Sequence, residues 1–165
     1  MPRNVTAICP GTFDPVTVGH IDIIRRGAAK FGRVVVGLID HPQRKSPLFS
    51  PEEREAFLRE ALADQDNVVI DRFNELVVDF ARRWNAQVIL KGLRAISDFE
   101  HEFAMAQLNR RLAPEIETVF MMASPEHSYL SSSGVREIAA FGGSVADLVP
   151  PAVARGLADM FPTRA

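Results

Sequence analysis

Residues 5–20 read VTAICPGTFDPVTVGH. The apolar, β-rich run from Val5 to Cys9 predicts a buried strand, and the glycine and prolines after it predict a turn. A helix is expected next, from about His20 to Phe31, with Gly32 suited to its end. A strand that passes through such a turn into a helix is typical of the first unit of a parallel α/β sheet.

The same alternation of strand and helix patterns continues along the chain. Four more β-rich runs follow, at Val34–Ile39, Val68–Asp71, Val88–Leu90 and Thr118–Met122. Several are apolar at consecutive positions, as expected for strands that are covered by helices on both faces. The sequence therefore predicts a Rossmann-like, doubly wound α/β fold, in which right-handed helical crossovers join the strands of a five-stranded parallel sheet.

Helix boundaries are marked by prolines and capping patterns. Ser50-Pro51-Glu52-Glu53 is a capping box with proline at the first helical position, and Ser97-Asp98-Phe99-Glu100 repeats the Ser-x-x-Glu pattern. Pro114 follows the helix that the second pattern predicts, and Pro150-Pro151 opens a short apolar helix from about Ala152 to Met160. No linker-like segment divides the chain, so residues 1–165 are expected to form a single domain.

Composition and charge exclude several classes of function. The 165 residues are 47% apolar, and 19 Lys and Arg against 21 Asp and Glu give 19 − 21 = −2. This balance provides no basic field for nucleic acid or an anionic membrane, and no apolar run approaches the roughly 20 residues of a membrane helix. The N-terminus lacks the apolar region of a signal peptide, so a cytoplasmic location is expected. Cys9 is the single cysteine, and the four histidines are scattered, so no disulfide or metal site is predicted.

Glycines, together with residues whose side chains carry a hydroxyl group or a positive charge, follow four of the predicted strands. Ligands of an open parallel sheet bind beyond the carboxyl ends of its strands. Glycines allow the backbone to approach an anion, helix N-termini offer unpaired N–H groups, and Lys, Arg and His supply positive charge. A phosphate site is therefore predicted, although the P-loop and G-x-G-x-x-G motifs are absent. The segments concerned are 10–20, 41–47, 91–94 and 124–136.

Three segments resemble those of a known superfamily. Gly11-Thr12-Phe13-Asp14-Pro15 with Thr17-Val18-Gly19-His20 resembles the T/HxGH signature of the nucleotidylyltransferases, and Leu130-Ser131-Ser132-Ser133-Gly134-Val135-Arg136 is similar to their second signature. Lys91-Gly92-Leu93-Arg94 followed by Asp98-Phe99-Glu100-His101-Glu102 resembles a segment of one family within it, the bacterial phosphopantetheine adenylyltransferases. The resemblance runs from about residue 4 to about residue 160.

The resemblance implies a reaction and its partners. The adenylyl group of ATP would be transferred to 4′-phosphopantetheine, giving dephospho-coenzyme A and pyrophosphate, with Mg²⁺ assisting, at the penultimate step of coenzyme A synthesis. It also implies a homohexamer and feedback inhibition by coenzyme A at the active site. The attacking phosphate is largely dianionic at pH 7, so such an enzyme needs no general base.

The resemblance also assigns roles by position. His20 would stabilise the transition state on the ATP phosphates, Lys45 would contact the nucleophilic phosphate, and Arg94 would hold ATP; these three are the implied catalytic residues. The residues implied to bind ATP are Thr12, Phe13, His20, Gly92, Leu93, Arg94, Glu102, His127, Ser128, Tyr129, Leu130, Ser131, Ser132 and Ser133. Those implied to bind phosphopantetheine are Thr12, Lys45, Val77 and Lys91.

Some of these assignments have alternatives. The alignment needs one extra residue before Lys45, so Arg44 is a competing contact for the acceptor phosphate. Val77 suits the core of a helix equally well, and Glu102 suits an exposed helix surface. The chain also departs from the family where Lys91, His101 and His127 stand at positions often held by arginine, tyrosine and tryptophan.

Two other functions remain open at the level of sequence. One is a different nucleotidyl transfer to a small molecule on the same scaffold. The other is a non-catalytic sensor that binds a nucleotide or coenzyme A, although such a protein is expected to have lost His20, Lys45 or Arg94, and all three are present.

Overall fold

The computed structural model describes residues 4–43 and 46–162, and within them a single parallel sheet of five strands. The strands stand in the order β3-β2-β1-β4-β5. The chain therefore builds outward from β1 to β3, returns to β4 beside β1, and continues to β5. This arrangement confirms the predicted doubly wound fold. The bounds are β1 Thr6–Gly11, β2 Arg33–Ile39, β3 Val68–Phe73, β4 Val88–Leu93 and β5 Glu117–Met122.

Three strands extend further at their carboxyl ends than predicted. β1 continues past Cys9, with Gly11 in register with Leu38 of β2. β4 continues past Leu90, with Gly92 in register with Met121 of β5. β3 likewise runs on to Phe73. Glycine and lysine are poor strand formers, but ladder pairing with a neighbouring strand outweighs that preference. Lys91 and Gly92, predicted to follow a strand, therefore lie within it.

In the part of the chain that the structure describes, six α-helices connect or follow the strands. Two of the helix boundaries predicted from the sequence are wrong. α1 ends at Ala28, and Gly32 instead donates its N–H to Val5 O (3.0 Å) as the chain enters β2. α4 begins at Ile96 with Ala95 as its N-cap, so Ser97 does not cap it. The bounds are α1 Val18–Ala28, α2 Pro51–Ala61, α3 Val77–Arg83, α4 Ile96–Leu112, α5 Ser132–Ala140 and α6 Pro151–Met160.

The capping box predicted at Ser50 is confirmed. Ser50 Oγ accepts from Glu53 N (3.2 Å), and Glu53 Oε2 accepts from Ser50 N (2.8 Å). Pro151 opens α6 as predicted, one residue before the expected start.

Apolar side chains pack on both faces of the sheet. Alternate residues of β2 point to opposite faces, so Val34 and Val36 belong to one cluster and Val35 to another. The first cluster includes Ile24 of α1, Leu58 of α2, Val135 of α5 and Leu157 of α6. The second includes Val78 and Phe80 of α3. Helices thus cover the sheet on both sides, as the apolar strand runs predicted.

The strand order reverses between β1 and β4. A crevice is expected at the carboxyl ends of such a pair, because the connections leave it toward opposite edges of the sheet. Across residues 4–43 and 46–162, no helix combines the length and the hydropathy needed to span a bilayer.

Candidate active site

A cavity of about 500 Å³ opens at the carboxyl ends of β1 and β4. Its size suits a small-molecule ligand, for which pockets are typically about 300–1,000 Å³. The strands, the first turns of α1 and α5, the start of α4 and the segment after β5 all contribute to its wall. The lining residues are Cys9, Pro10, Gly11, Phe13, Thr17, Gly19, His20, Ile23, Leu90, Lys91, Gly92, Arg94, Asp98, Glu102, Ala123, His127, Leu130, Ser131, Ser132, Ser133 and Arg136.

The first turn of α1 fixes the orientation of His20. Thr17 is the N-cap and its hydroxyl accepts from His20 N (3.3 Å), while His20 Nδ1 accepts from Thr17 N (3.0 Å). The Thr17 N–H can only donate, so Nδ1 carries no proton in this contact. The neutral ring therefore holds its proton on Nε2. The Thr-x-Gly-His spacing is in effect a capping box with histidine in the place of the usual glutamate.

The loop between β1 and α1 holds an aromatic ring against His20. Phe13 has φ 50°, in the left-handed region that a bulky side chain rarely adopts. Its ring meets the His20 ring edge-on, with centroids 5.2 Å apart. It also covers Gly11, where a Cβ would lie 3.0 Å from two ring atoms. A side chain at Gly11 would thus displace the ring that contacts His20.

Two cations of the cavity are paired with carboxylates of α4. The Nε–H of Arg94 donates to Asp98 Oδ2 (3.0 Å), and its Nη2 donates to Asp98 Oδ1 (3.2 Å). The two side chains thus form a bidentate ion pair. The other terminal nitrogen of Arg94 donates to Leu130 O (2.8 Å). Lys91 Nζ lies 3.4 Å from Glu102 Oε1. An anionic ligand that reaches these cations therefore competes with, or adds to, contacts that already exist.

A second helix N-terminus faces the same cavity. Ser131 caps α5, with its hydroxyl accepting from Gly134 N (3.0 Å), and Ser133 Oγ lies 3.3 Å from Ser131 Oγ. Ser132 Oγ donates instead to Pro15 O (2.9 Å), which ties α5 to the loop after β1. The N-termini of α1 and α5 both carry partial positive charge, so their convergence favours an anion between them.

Asp14 connects this loop to two other parts of the chain. It is buried, and its carboxylate accepts from Leu48 N (2.8 Å) and Phe49 N (3.0 Å). The cavity-lining Arg136 donates to the Asp14 carbonyl and lies 3.5 Å from its carboxylate. Asp14 thereby holds the β1 loop, the segment before α2 and α5 in one arrangement.

Most of the residues predicted to bind ATP lie together at this cavity. Phe13, His20, Gly92, Arg94, Glu102, His127, Leu130, Ser131, Ser132 and Ser133 all line it, as does Lys91 from the acceptor set. Thr12 and Leu93 lie beside lining residues without being among them. Ser128 and the exposed Tyr129 also lie outside the lining set, and Val77 packs at the start of α3 against the second core cluster. Lys45 and its competitor Arg44 fall outside the described residues.

Three residues with a clear structural role were not assigned one from the sequence. Asp14 and Arg136 belong to the motifs quoted above, and this position was a signal that they contribute to the site. Arg54 is fully buried on α2, and the signal was its position four residues before Leu58, on the same apolar face of the helix. An arginine on a face that is otherwise buried needs several acceptors.

Cys9 is a buried side chain. It lines the inner wall of the cavity at 7% exposure, and burial raises the pKa of its thiol to about 11. Lys91 opposes this effect only partly. The thiol is therefore protonated, and a poor nucleophile, near neutral pH.

Comparison with known proteins identifies the family. A cytidylyltransferase-like family model matches residues 8–138. A phosphopantetheine adenylyltransferase from Caldanaerobacter subterraneus subsp. tengcongensis is 51% identical over 155 residues, covering 94% of this chain and 96% of that protein. The chain belongs to the phosphopantetheine adenylyltransferase family. A protein of the same name from Rubrobacter xylanophilus is 54% identical over 147 residues, covering 89% of each chain.

A solved structure outside the family shares the fold. The nicotinic acid mononucleotide adenylyltransferase of Plasmodium falciparum, complexed with NaAD, superposes with a TM-score of 0.73 and covers 96% of each chain. Its sequence is 12% identical, so this likeness concerns the fold alone. The motifs of this chain predicted membership of the phosphopantetheine adenylyltransferase family. The relatives from Caldanaerobacter and Rubrobacter confirm that prediction.

Proposed function

We propose that this protein transfers the adenylyl group of ATP to 4′-phosphopantetheine, giving dephospho-coenzyme A and pyrophosphate. The observation that carries the proposal is the placement of His20. Its ring is fixed by Thr17 at the start of α1, in a cavity that also holds Lys91, Arg94 and the serines of α5. Relatives that are about half identical over nearly the whole chain carry the name of this activity.

The chemistry requires alignment and charge stabilisation. The acceptor phosphate attacks the α-phosphorus of ATP, and the bond to the bridging oxygen of the leaving pyrophosphate breaks. His20, with its proton on Nε2, would donate to phosphate oxygens as negative charge accumulates, and Arg94 would hold the same polyphosphate. The two helix N-termini add fixed positive potential without needing to reorganise.

Magnesium belongs to this proposal as a partner of ATP. Within residues 4–43 and 46–162, no group of three or more His, Cys, Asp or Glu side chains is arranged to hold a metal ion. The cavity carboxylates Asp98 and Glu102 are already paired with Arg94 and Lys91. The ion is proposed to enter on the ATP phosphates, with water among its other ligands.

Coenzyme A is proposed as an inhibitor that binds in the same cavity. It contains both halves of the product, an adenosine phosphate and a phosphopantetheine arm. A site that accepts ATP and phosphopantetheine side by side presents contacts for both halves, so competition with the substrates is expected.

A cytoplasmic location is also part of the proposal. The buried, unpaired thiol of Cys9 is in keeping with action in that reducing compartment.

Lys45 is proposed as the contact for the acceptor phosphate. Replacing it with alanine should lower kcat/KM for phosphopantetheine by about 10- to 100-fold, the loss expected when one hydrogen bond to a charged group is removed. The dissociation constant of ATP should change little. Arg44→Ala is the matched control, measured by the same steady-state kinetics. If only the Arg44 change is damaging, the single-residue gap in the alignment is misplaced.

The homohexamer that the family resemblance implies is proposed, and the surface of α4 supports an assembly of identical chains. None of its 17 residues is buried, and six of them are exposed large apolar side chains: Ile96, Phe99, Phe103, Met105, Leu108 and Leu112. An exposed apolar surface of this extent marks a contact with another protein, and a closed symmetric assembly of identical chains would cover it.

Sedimentation velocity tests the assembly. Leu108→Glu should convert the hexamer into smaller species, because it places a charge within the apolar surface of α4. Ala63→Glu, in the exposed turn after α2, introduces the same charge elsewhere and should leave the hexamer intact. A monomeric wild-type protein would contradict the proposed assembly.

An end-point assay tests the function itself. Purified protein is incubated with Mg²⁺ and either ATP or CTP, together with 4′-phosphopantetheine, nicotinamide mononucleotide or glycerol 3-phosphate in separate reactions. Dephospho-coenzyme A formed only from ATP and phosphopantetheine is the expected result. Product from another pair would indicate a different nucleotidyl transfer, and folded protein that binds ATP without forming any product would indicate a sensor.

A further inference from the structure

The guanidinium of Arg54 connects three segments at the carboxyl edge of the sheet. Arg54 lies on α2 and is 0% exposed. Its Nη1 donates to Thr12 O (2.8 Å) and Ile39 O (2.9 Å). Its Nη2 donates to Asp40 O (2.9 Å) and its Nε to Phe49 O (3.1 Å). The side chain therefore binds four carbonyls, from the ends of β1 and β2 and from the residue before the N-cap of α2.

This environment is specific to arginine. Burying a cation costs free energy unless the cation is fully hydrogen-bonded. An apolar residue would occupy the buried face of α2 without that cost, as Leu58 does one turn later. Arginine has five N–H donors in a rigid planar fork, and here four carbonyls surround them. Lysine carries a single nitrogen and cannot reach the same four acceptors at once.

One of these carbonyls belongs to the loop that carries Phe13. Arg54 fixes Thr12 immediately before Phe13, and the Asp14 carboxylate is fixed by Leu48 N and Phe49 N immediately after it. Phe13 itself has a positive φ, a conformation that persists only when its surroundings impose it. Its ring contacts His20 edge-on at 5.2 Å.

We infer that Arg54 is a positioning residue for His20, acting through Thr12 and Phe13. It holds the β1 loop in the strained conformation that places the Phe13 ring against the imidazole. Arg54 touches no substrate in this role, and its effect reaches the reaction only through the position of His20. The kinetic part of the inference rests on the proposed function, whereas the coupling between Arg54 and His20 does not.

Arg54→Lys tests the inference, with Arg59→Lys as the matched control. Arg59 lies on the same helix and also donates to a backbone carbonyl, Ile70 O (3.2 Å), but its side chain is 58% exposed and pairs with Glu55. In Arg54→Lys, kcat per folded active site should fall about 10-fold or more, while the ATP dissociation constant from calorimetry changes less than about 3-fold. Arg59→Lys should match the wild type in both.

A second readout does not depend on activity. The ¹⁵N shifts of the His20 imidazole should move in Arg54→Lys and stay in place in Arg59→Lys, because only the first change releases the Phe13 contact. An unmoved His20 signal, or a kcat loss that merely follows the folded fraction, would overturn the inference. If the wild type forms no dephospho-coenzyme A, the proposed function fails, and the imidazole shifts still decide the role of Arg54.

Phe13→Leu covers the case in which Arg54→Lys folds poorly. It removes the ring contact while Arg54 stays in place, and it should lower kcat to a similar extent and move the same His20 signals. If Arg54 acts through Phe13, the two changes combined should cost no more than the larger one alone. Fully multiplied effects in the double variant would show that Arg54 does not act through Phe13, and would overturn the inference.

Discussion

In the His20→Ala variant, kcat should fall by about 10²–10³-fold, because a single well-placed donor to a developing oxyanion is typically worth that much. The dissociation constant of ATP should change far less, since Lys91, Arg94 and the start of α5 still face the ligand. A loss in kcat with little change in binding is the signature of an interaction that matters mainly in the transition state. Pre-steady-state release of pyrophosphate measures the chemical step directly.

His20→Asn separates the two roles of the imidazole. In the wild type, Nδ1 accepts from Thr17 N, and Nε2 carries the proton proposed to reach the phosphates. The asparagine side-chain oxygen can take over the first role, but no atom of asparagine reaches the position of Nε2. His20→Asn should therefore retain more thermal stability than His20→Ala and lose nearly as much kcat. A near-normal kcat in either variant would remove His20 from the mechanism.

In the Asp14→Ala variant, the free energy of unfolding should fall by about 3–5 kcal/mol, because two hydrogen bonds to a buried carboxylate are lost at about 1.5–3 kcal/mol each. The change leaves the partly buried Leu48 N and the buried Phe49 N without their acceptor and removes the carboxylate beside Arg136. For a chain of this size, the melting temperature should fall by about 10 °C. Calorimetry and urea denaturation measure the two quantities.

Two variants calibrate the Asp14 result. Asp14→Asn keeps one carbonyl oxygen but turns an amide NH₂ toward the other donor, so it should lie between alanine and the wild type. Asp22→Ala removes another hydrogen-bonded carboxylate, which accepts from Ser124 Oγ (2.8 Å) and lies 3.1 Å from Arg26, but with 24% of its side chain exposed. Its loss should be smaller because water replaces the missing partner. An Asp14→Ala protein within about 1 kcal/mol of the wild type would refute the proposed role of the carboxylate.

The fold was predictable because most of its strands and several of its helix ends are marked by apolar runs and capping patterns within the sequence. Apolar runs located all five strands, and the Ser50 capping box and Pro151 located two helix starts. The errors arose where a neighbouring strand or helix outweighed local preference. Gly11 and Gly92 extend strands that pairing stabilises, and Ala95 caps α4 although Ser97 matches the capping pattern better.

The site was predictable wherever a contact lies within one motif. The Thr17 to His20 cap is local, and so is the pair between Arg94 and Asp98, four residues apart. Arg54 is different, because its acceptors at Thr12 and Ile39 are 42 and 15 residues away. Such a contact depends on how β1, β2 and α2 meet, and no pattern within any one of them shows it.

The α4 carboxylates that pair with Lys91 and Arg94 have a consequence for how a ligand arrives. Paired charges project little potential beyond about 10 Å in physiological salt, so the entrance offers weak long-range attraction to a polyanion. Capture of a nucleotide should then depend more on fit than on ionic strength. A lone phosphate ion that reaches one of these cations competes with, or adds to, a single existing ion pair, whereas a triphosphate contacts several cations and two helix N-termini at once. The pairing of Lys91 and Arg94 should therefore favour ligands that reach several donors at once over small anions that reach only one.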